Sequence, residues 1–273
     1  MNLSNKVAFV TGGAVGIGRA VALGLASAGA HIGIAAPETN ELQSLCREIE
    51  SLGREVTWWP LDLNQFDQIE GIRNEFFTKF GRLDILATVA GIPGNWWLMH
   101  ETPEQDWDQV MNINLKGMFM CCRAFIPSMI EQGSGGSIIT FTSSLGQRVH
   151  PKRGIYAISK WGIIALTKTM AIELAANHIR VNAVAPGGGV AGERRDRWFE
   201  QAAAQLGGTA DDQRQQMLDV IPIHELIEPD DIAKLCVFLA SDDARQITGE
   251  VFNINGGHGL AVLDATLPGA NLV

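Results

Sequence analysis

The 273-residue chain has a single tyrosine, Tyr156, only four cysteines, and no uninterrupted apolar run of membrane-spanning length. A transmembrane helix needs roughly 20 consecutive apolar residues, so no membrane role is expected. The start, Met-Asn-Leu-Ser-Asn-Lys, runs directly into a strand-like segment. It lacks the charged segment, apolar run and small-residue cleavage site of a secretory signal. Cys46, Cys121, Cys122 and Cys236 form no Cys-x-x-Cys pair and have no histidine at ligand spacing. No metal site is therefore expected, and the four thiols read as reduced and partly buried in a cytoplasmic protein. Basic residues are also scarce: 21 Lys and Arg against 30 Asp and Glu give a formal net charge of -9. Such a chain repels phosphate backbones, which argues against nucleic acid as a partner. What remains is an ordinary globular balance, 46% hydrophobic and 19% charged, with enough length to bury a substantial core.

Short β-rich runs alternate with helical stretches. Strands are predicted at 6–11, 31–36, 55–61, 83–90, 137–143, 179–185 and 251–254. Helices are predicted at 17–28, 41–52, 66–80, 104–132 (long and locally distorted), 156–176 and 230–241. Gly29, Gly53 and Gly81 stand where helix stops belong. This alternation predicts an α/β protein: a doubly wound parallel sheet in a three-layer α/β/α arrangement, a single domain over residues 1–273. The exception is 187–222, glycine-rich and then charged and helical, which reads as a lid or substrate loop.

Thr11-Gly12-Gly13-Ala14-Val15-Gly16-Ile17-Gly18 lies between the first strand and the first helix. Glycines there allow a tight turn and close approach of a pyrophosphate to the backbone, and the helix start supplies N–H groups and a positive dipole end. Gly12, Gly16, Ile17 and Gly18 are the candidate cofactor contacts. The adenosine ribose of a dinucleotide is expected at the end of the second strand. That stretch, Ile34-Ala35-Ala36-Pro37-Glu38, has no carboxylate on the strand and no cation for a 2′-phosphate. Glu38 is the nearest acid and Arg19 the nearest base; NAD is slightly favoured over NADP.

Tyr156 and Lys160 are four residues apart, one turn along a common helix face. A phenol near its reference pKa of about 10 is a poor base at neutral pH. A neighbouring cation favours its phenolate form. With the glycine loop, this Tyr-x-x-x-Lys pair resembles the short-chain dehydrogenase/reductase family in its single-domain, Rossmann-like branch, over nearly the whole chain. Asn112-Ile113-Asn114-Leu115-Lys116-Gly117 resembles the family segment that carries a catalytic asparagine, here Asn114. Gly136 through Gly146 resembles the strand that ends in a catalytic serine, here Ser143, with Ser144 the adjacent competitor. Asp62-Leu63 resembles an adenine-contacting pair, and Arg180 through Gly187 the strand and turn beside the nicotinamide.

The resemblance implies that Tyr156 moves the hydroxyl proton, Ser143 holds the substrate oxygen, Lys160 binds the nicotinamide ribose and Asn114 holds a water behind Lys160. It also implies cofactor contacts at Ala90, Gly91, Pro186, Gly187 and Gly189, and a homotetramer. Met118, Phe119 and Trp161 are read as apolar residues in excess of what one sheet face needs. Two further departures from the family pattern stand out. Asn-Asn-Ala-Gly is here Thr88-Val89-Ala90-Gly91, which predicts altered packing at that strand end. The threonine often found after Pro-Gly is missing.

The function implied is NAD(P)-dependent interconversion of a secondary alcohol and a ketone. A cofactor-binding regulator without turnover, and an epimerase or dehydratase working through transient hydride transfer, are the alternatives weighed. Segment 145–155 carries Arg148, His150, Lys152 and Arg153; the lid carries Arg194, Arg195 and Arg197 beside Trp198 and Phe199. These cations suit a polar or anionic substrate, or else a solvated, internally paired surface. Trp96 and Trp97 are expected at the cleft mouth, whereas His224 and His258 read as isolated.

Overall fold

Val7–Thr11 (β1) is buried at every position, as a strand covered on both faces must be. Residues 1–260 other than Gly188 are described by this computed structural model, with all their side chains but those of Arg194, Gln205 and Leu206. His31–Ala36 (β2), Val56–Pro60 (β3), Ile85–Thr88 (β4), Gly136–Phe141 (β5), Ile179–Pro186 (β6) and Val251–Ile254 (β7) complete one sheet, in the order β3-β2-β1-β4-β5-β6-β7. Every neighbouring pair is parallel. The order reverses between β1 and β4, and sheets of this kind bind ligands in the crevice at the carboxyl ends of the strands there.

Helices cover both faces. Gly16–Ser27 (α1) and Thr39–Ser51 (α2) pack their aliphatic residues onto one face, together with the late helix Pro229–Ala240, numbered α9 below. Gln68–Phe80 (α3) covers the other face, where Phe9, Trp59, Phe76 and Phe125 make an aromatic cluster. Asymmetric filling follows from residue size. Gly33 leaves room for the Phe76 ring, to which an added Cβ would approach within 2.7 Å.

The expected distortion of the long helix is a π turn. Glu104–Met111 (α4) passes through Asn112–Lys116 into Gly117–Gln132 (α5). Gly154–Leu174 (α6) lies beside them on the same face. The excursion after β6 is two helices, Glu193–Leu206 (α7) and Ala210–Asp219 (α8), split at Gly207 and Gly208. Thr209 starts α8 through a reciprocal capping box with Asp212. A parallel bridge between Val190 and Ile227 closes the base of the excursion, and α9 follows it.

Two expectations are corrected. β5 stops at Phe141, so Ser143 and Ser144 belong to the turn beyond it and strand alternation does not orient them. Met118 is buried at 3% exposure and is core, while Phe119 at 42% and Trp161 at 48% remain outside. Thr88 ends β4 in a rung with Thr11 and Thr140. Its buried hydroxyl finds no hydrogen-bond partner among the described residues.

Candidate active site

The carboxyl ends of β4 and β5 meet the start of α6, and backbone-directed hydrogen bonds fix that junction. Thr142, one residue past β5, donates its hydroxyl to the Lys160 carbonyl at 2.8 Å. Lys160 is buried, and its ammonium donates to the Phe141 carbonyl at 2.8 Å. A buried ammonium is tolerated only where acceptors replace water. These two bonds tie strand end to helix, and Ser143 is the next residue after Thr142. Ser143 itself accepts from the Leu145 N–H at 3.2 Å. Ser144 lies against Gly187, whose added Cβ would meet the Ser144 Cβ at 2.7 Å.

Tyr156 and Lys160 share one side of α6, with the ammonium 5.6 Å from the centre of the phenol ring. Asn114 comes from the π turn and is fully buried. Its Oδ1 accepts the Ile92 N–H at 2.8 Å, and its Nδ2 donates to the Ile92 carbonyl at 2.9 Å and to Ser159 Oγ at 3.1 Å. Ser159 in turn donates to the Tyr156 carbonyl at 2.7 Å. An added Cβ on Gly91 would lie 3.3 Å from both Asn114 Oδ1 and Lys160 Nζ, so those two atoms converge over one point of the backbone. Asn114, Tyr156 and Lys160 are thus brought together as the motifs imply. Ser159 and Thr142, which hold them, carry no sequence signal of their own, since buried hydroxyls on a helix or strand end are common.

The glycine loop forms a cradle. Gly12 has φ +69° and approaches Ala90 so closely that a Cβ would fall 2.7 Å from its Cα. Gly16, φ +54°, opens α1 with no atom within 4 Å of its Cβ position. The helix has no side-chain cap and no acid in its first turn, so Gly16, Ile17 and Gly18 present a helix start suited to an anion. Asp62 and Leu63 follow β3, and Ala90 and Gly91 follow β4. Pro186, Gly187 and Gly189 end or follow β6, Gly187 donating to the Ile254 carbonyl at 3.1 Å. These residues fit a dinucleotide laid across the switch point. Arg19 is ion-paired with Glu48 on α2, and Glu38 is exposed just ahead of that helix.

Around this floor runs a cationic rim. The Arg153 guanidinium lies 5.0 Å from the Tyr156 ring centre and 5.1 Å from that of Trp96. His150 meets Trp96 edge-on at 6.0 Å. Trp97 donates its indole N–H to Asp106 at 2.5 Å, as does the Asn95 amide at 2.8 Å. Those two bonds hold the Asp106 carboxyl below its ordinary pKa.

His258 is not isolated, as the sequence suggested. Its Nδ1 lies 2.9 Å from the Arg148 guanidinium, which also donates to its carbonyl at 3.1 Å. Burial, and then the Arg148 charge, push the imidazole pKa down. The partner stands 110 residues away in sequence, beyond the reach of local pattern. Arg148 thereby braces the turn after β7. Arg195 stacks on Trp198 and Phe199, Arg197 is exposed, and the side chain of Arg194 lies outside the described residues. All four cysteines are free and buried, Cys46 pushed up to about 11 and Cys121 to about 12 by burial. No helix among the described residues is long and apolar enough to cross a membrane.

Residues 12–259 match a family model described as enoyl-(acyl carrier protein) reductase. The chain is 38% identical over 257 residues to 3-oxoacyl-(acyl-carrier-protein) reductase FabG of Thermotoga maritima, covering 94% of this chain and 99% of the relative. Carveol dehydrogenase from Mycobacterium avium, solved with NAD, superposes with a TM-score of 0.89 at 28% identity, over 94% of this chain and 98% of that one. A variant of actinorhodin polyketide ketoreductase, solved with NADPH, gives 0.87 at 27% identity, over 93% and 97%.

Proposed function

The chain belongs to the short-chain dehydrogenase/reductase family and is an NAD(P)-dependent oxidoreductase, and from that premise we propose that it interconverts a secondary alcohol and a ketone with Tyr156 as acid and base. The observation that carries the reading is the junction of Tyr156, Lys160 and Asn114 over Gly91. Bound nicotinamide supplies or accepts the hydride. In the oxidative direction the substrate hydroxyl gives its proton to the Tyr156 oxygen as the carbon gives up hydride. In reduction the phenol returns that proton to the carbonyl oxygen. Ser143 holds the same oxygen and offsets its growing negative charge. Lys160 supplies positive charge beside the phenol and reaches the ribose hydroxyls of the cofactor, and Asn114 holds a water behind it. Gly12, Gly16, Ile17 and Gly18 hold the pyrophosphate, Asp62 and Leu63 the adenine, and Ala90, Gly91, Pro186, Gly187 and Gly189 the nicotinamide side. The α7–α8 excursion closes over the substrate.

NAD is the preferred cofactor in this reading, because Arg19 is engaged with Glu48 and Ala36-Pro37-Glu38-Thr39, at the end of β2, carries no cation for a 2′-phosphate. A second reading, reduction of a 3-oxoacyl thioester, is favoured by the 38% identity to FabG. One assay tests all of this: kcat/KM with NAD(H) and NADP(H) over a panel of secondary alcohols, their ketones and a 3-oxoacyl thioester. Turnover of the simple pairs with a modest NAD preference is expected. Turnover of the thioester alone replaces the first reading with the second, and an NADP preference removes the cofactor assignment.

We further propose a homo-oligomer, a tetramer, joined through the α5 and α6 faces that expose Phe119, Trp161 and Ile172. Light scattering at micromolar concentration should give a multiple of the chain mass; a monomer would rule the assembly out.

A further inference from the structure

The segment between Ser143 and Tyr156 is fastened at both of its ends. Near Tyr156, Lys152 has φ +63°, a left-handed conformation unfavourable for a residue with a side chain. Arg153 then forms an isolated parallel bridge with Trp97 and donates to the Gly94 carbonyl at 3.4 Å. Near Ser143 the partners come from the other end of the chain. Arg148 Nη2 lies 2.9 Å from His258 Nδ1 and donates to the His258 carbonyl at 3.1 Å. One residue earlier, the Gln147 amide donates to Asn253 Oδ1 at 2.6 Å.

The receiving turn, which follows β7, is shaped for this grip. Asn255 accepts the Gly257 N–H at 2.9 Å, and its amide donates to the same His258 carbonyl at 3.2 Å. Gly259 has φ +82°, and a Cβ added there would overlap the Arg148 guanidinium. Gly187 meets both turns: its added Cβ would fall 2.7 Å from Ser144 Cβ and 3.1 Å from Asn255 Cβ. On the inner side, an added Cβ on Gly146 would lie 2.9 Å from the Lys160 carbonyl oxygen. Within the serine turn, Ser143 Oγ accepts from the Leu145 N–H, and the Ser143 carbonyl from the Gly146 N–H at 2.8 Å. Both bonds are local, so the hydroxyl points where the turn as a whole points, and the turn takes its setting from what holds it.

We propose that Arg148 is a positioning residue: by gripping the turn after β7 it sets the aim of the Ser143 hydroxyl at the substrate oxygen. The inference rests on the role given to Ser143 above. A planar guanidinium bonded to a ring nitrogen and a carbonyl fixes orientation as well as distance, which the point charge of a lysine does only in part. Aim matters here because a donor to a developing oxyanion works when it is preorganised, and a misplacement of about 1 Å is felt in the rate.

The test uses Arg148→Met, Arg148→Lys and Gly259→Ala, the last of which displaces the guanidinium from the opposite side and leaves the serine turn unaltered. Arg148→Met should lower kcat about 3- to 10-fold, the worth of one or two hydrogen bonds, with the Kd for NADH unchanged in a fluorescence titration. Arg148→Lys should recover part of the loss, and Gly259→Ala should reproduce it. None of the three should cost anything further in a Ser143→Ala background, as expected of residues that act through one contact. Hydrogen exchange read by mass spectrometry requires no turnover: in Arg148→Met the amides of 142–148 should exchange faster, with the central strands unchanged. Losses that add in full to that of Ser143→Ala would show Arg148 acting elsewhere and overturn the inference, as would unchanged exchange at 142–148. Faster exchange throughout the sheet would reduce Arg148 to a general support and overturn it as well. Faster exchange at 142–148 alone, when the native protein turns over no alcohol or ketone, would keep the grip on the serine turn and remove the alcohol–ketone reading.

Discussion

At the floor of the cleft Asn114, Ser159 and Lys160 are buried; Asn114 donates to Ser159, Ser159 to the Tyr156 carbonyl and Lys160 to the Phe141 carbonyl, at 2.7 to 3.1 Å. At the rim Arg153, Trp96, Arg148 and His258 are half-buried or exposed and are held by ring faces and by one guanidinium–imidazole contact. On the proposed alcohol–ketone reading, the floor positions groups that every such substrate would need. The rim would meet only what else a substrate carries, apart from Arg148 and His258, which hold each other. Buried polar networks lose heavily when one member goes, because the partner is stranded without water. Rim contacts can be broken singly, with water replacing what is lost.

The sharpest way to break this contrast is Tyr156→Phe. The ring still stacks between Arg153 and Lys160, so the rim should survive while proton transfer is lost. Turnover should drop by about 2–4 orders of magnitude, with cofactor binding retained in a fluorescence titration. More than half of native activity would remove Tyr156 from its role. The next largest effect separates adjacent serines. Ser143→Ala should cost about 10²- to 10³-fold in kcat, as loss of an oxyanion donor does, and Ser144→Ala far less. The reverse order in steady-state kinetics would move the substrate oxygen one residue along the turn.

The smallest effect belongs to the rim. The His258 pKa in the folded protein is below its ordinary value of 6.5. The unfolded chain therefore binds the extra proton more readily, and the Arg148–His258 contact adds stability above about pH 6.5 that is lost as pH falls. Thermal melts of native protein and His258→Asn should converge on acidification, the native midpoint losing no more than about 2 °C through this contact. A native advantage that grows in acid would contradict the sign.

The floor was readable from sequence because its chemistry is tied to spacing. Tyr156 and Lys160 meet through one helical turn, and Gly12, Gly16 and Gly18 mark a turn that side chains would fill. The seven strands and their parallel sheet followed from alternation of short apolar runs with helices, whereas the order of the strands is fixed by the tertiary fold. Other features were not readable, for separate physical reasons. Arg148 and His258 are joined by the tertiary path of the chain, not by a motif. Arg153 was visible as a charge but not as an inward one, since that depends on a left-handed Lys152 and on Trp96 being placed opposite. Met118 and Phe119 are neighbours on one helix, about 100° apart, and composition alone could not say which one faces the core.

The π turn at Asn112–Lys116 bears on how that helix keeps time. Such a turn accommodates an extra residue relative to regular α-helix and advances everything after it by about 100°. Before the phase step, α4 lies against α6; after it, α5 lies against α3. One continuous rod therefore serves two neighbours at different angular settings, with Asn114 at the point where the setting changes. Deleting a single residue there would restore an even helical rhythm. It would also turn α5 by about 100° about its axis, so that Phe119 would take the buried setting that Met118 now holds, a frameshift in three dimensions.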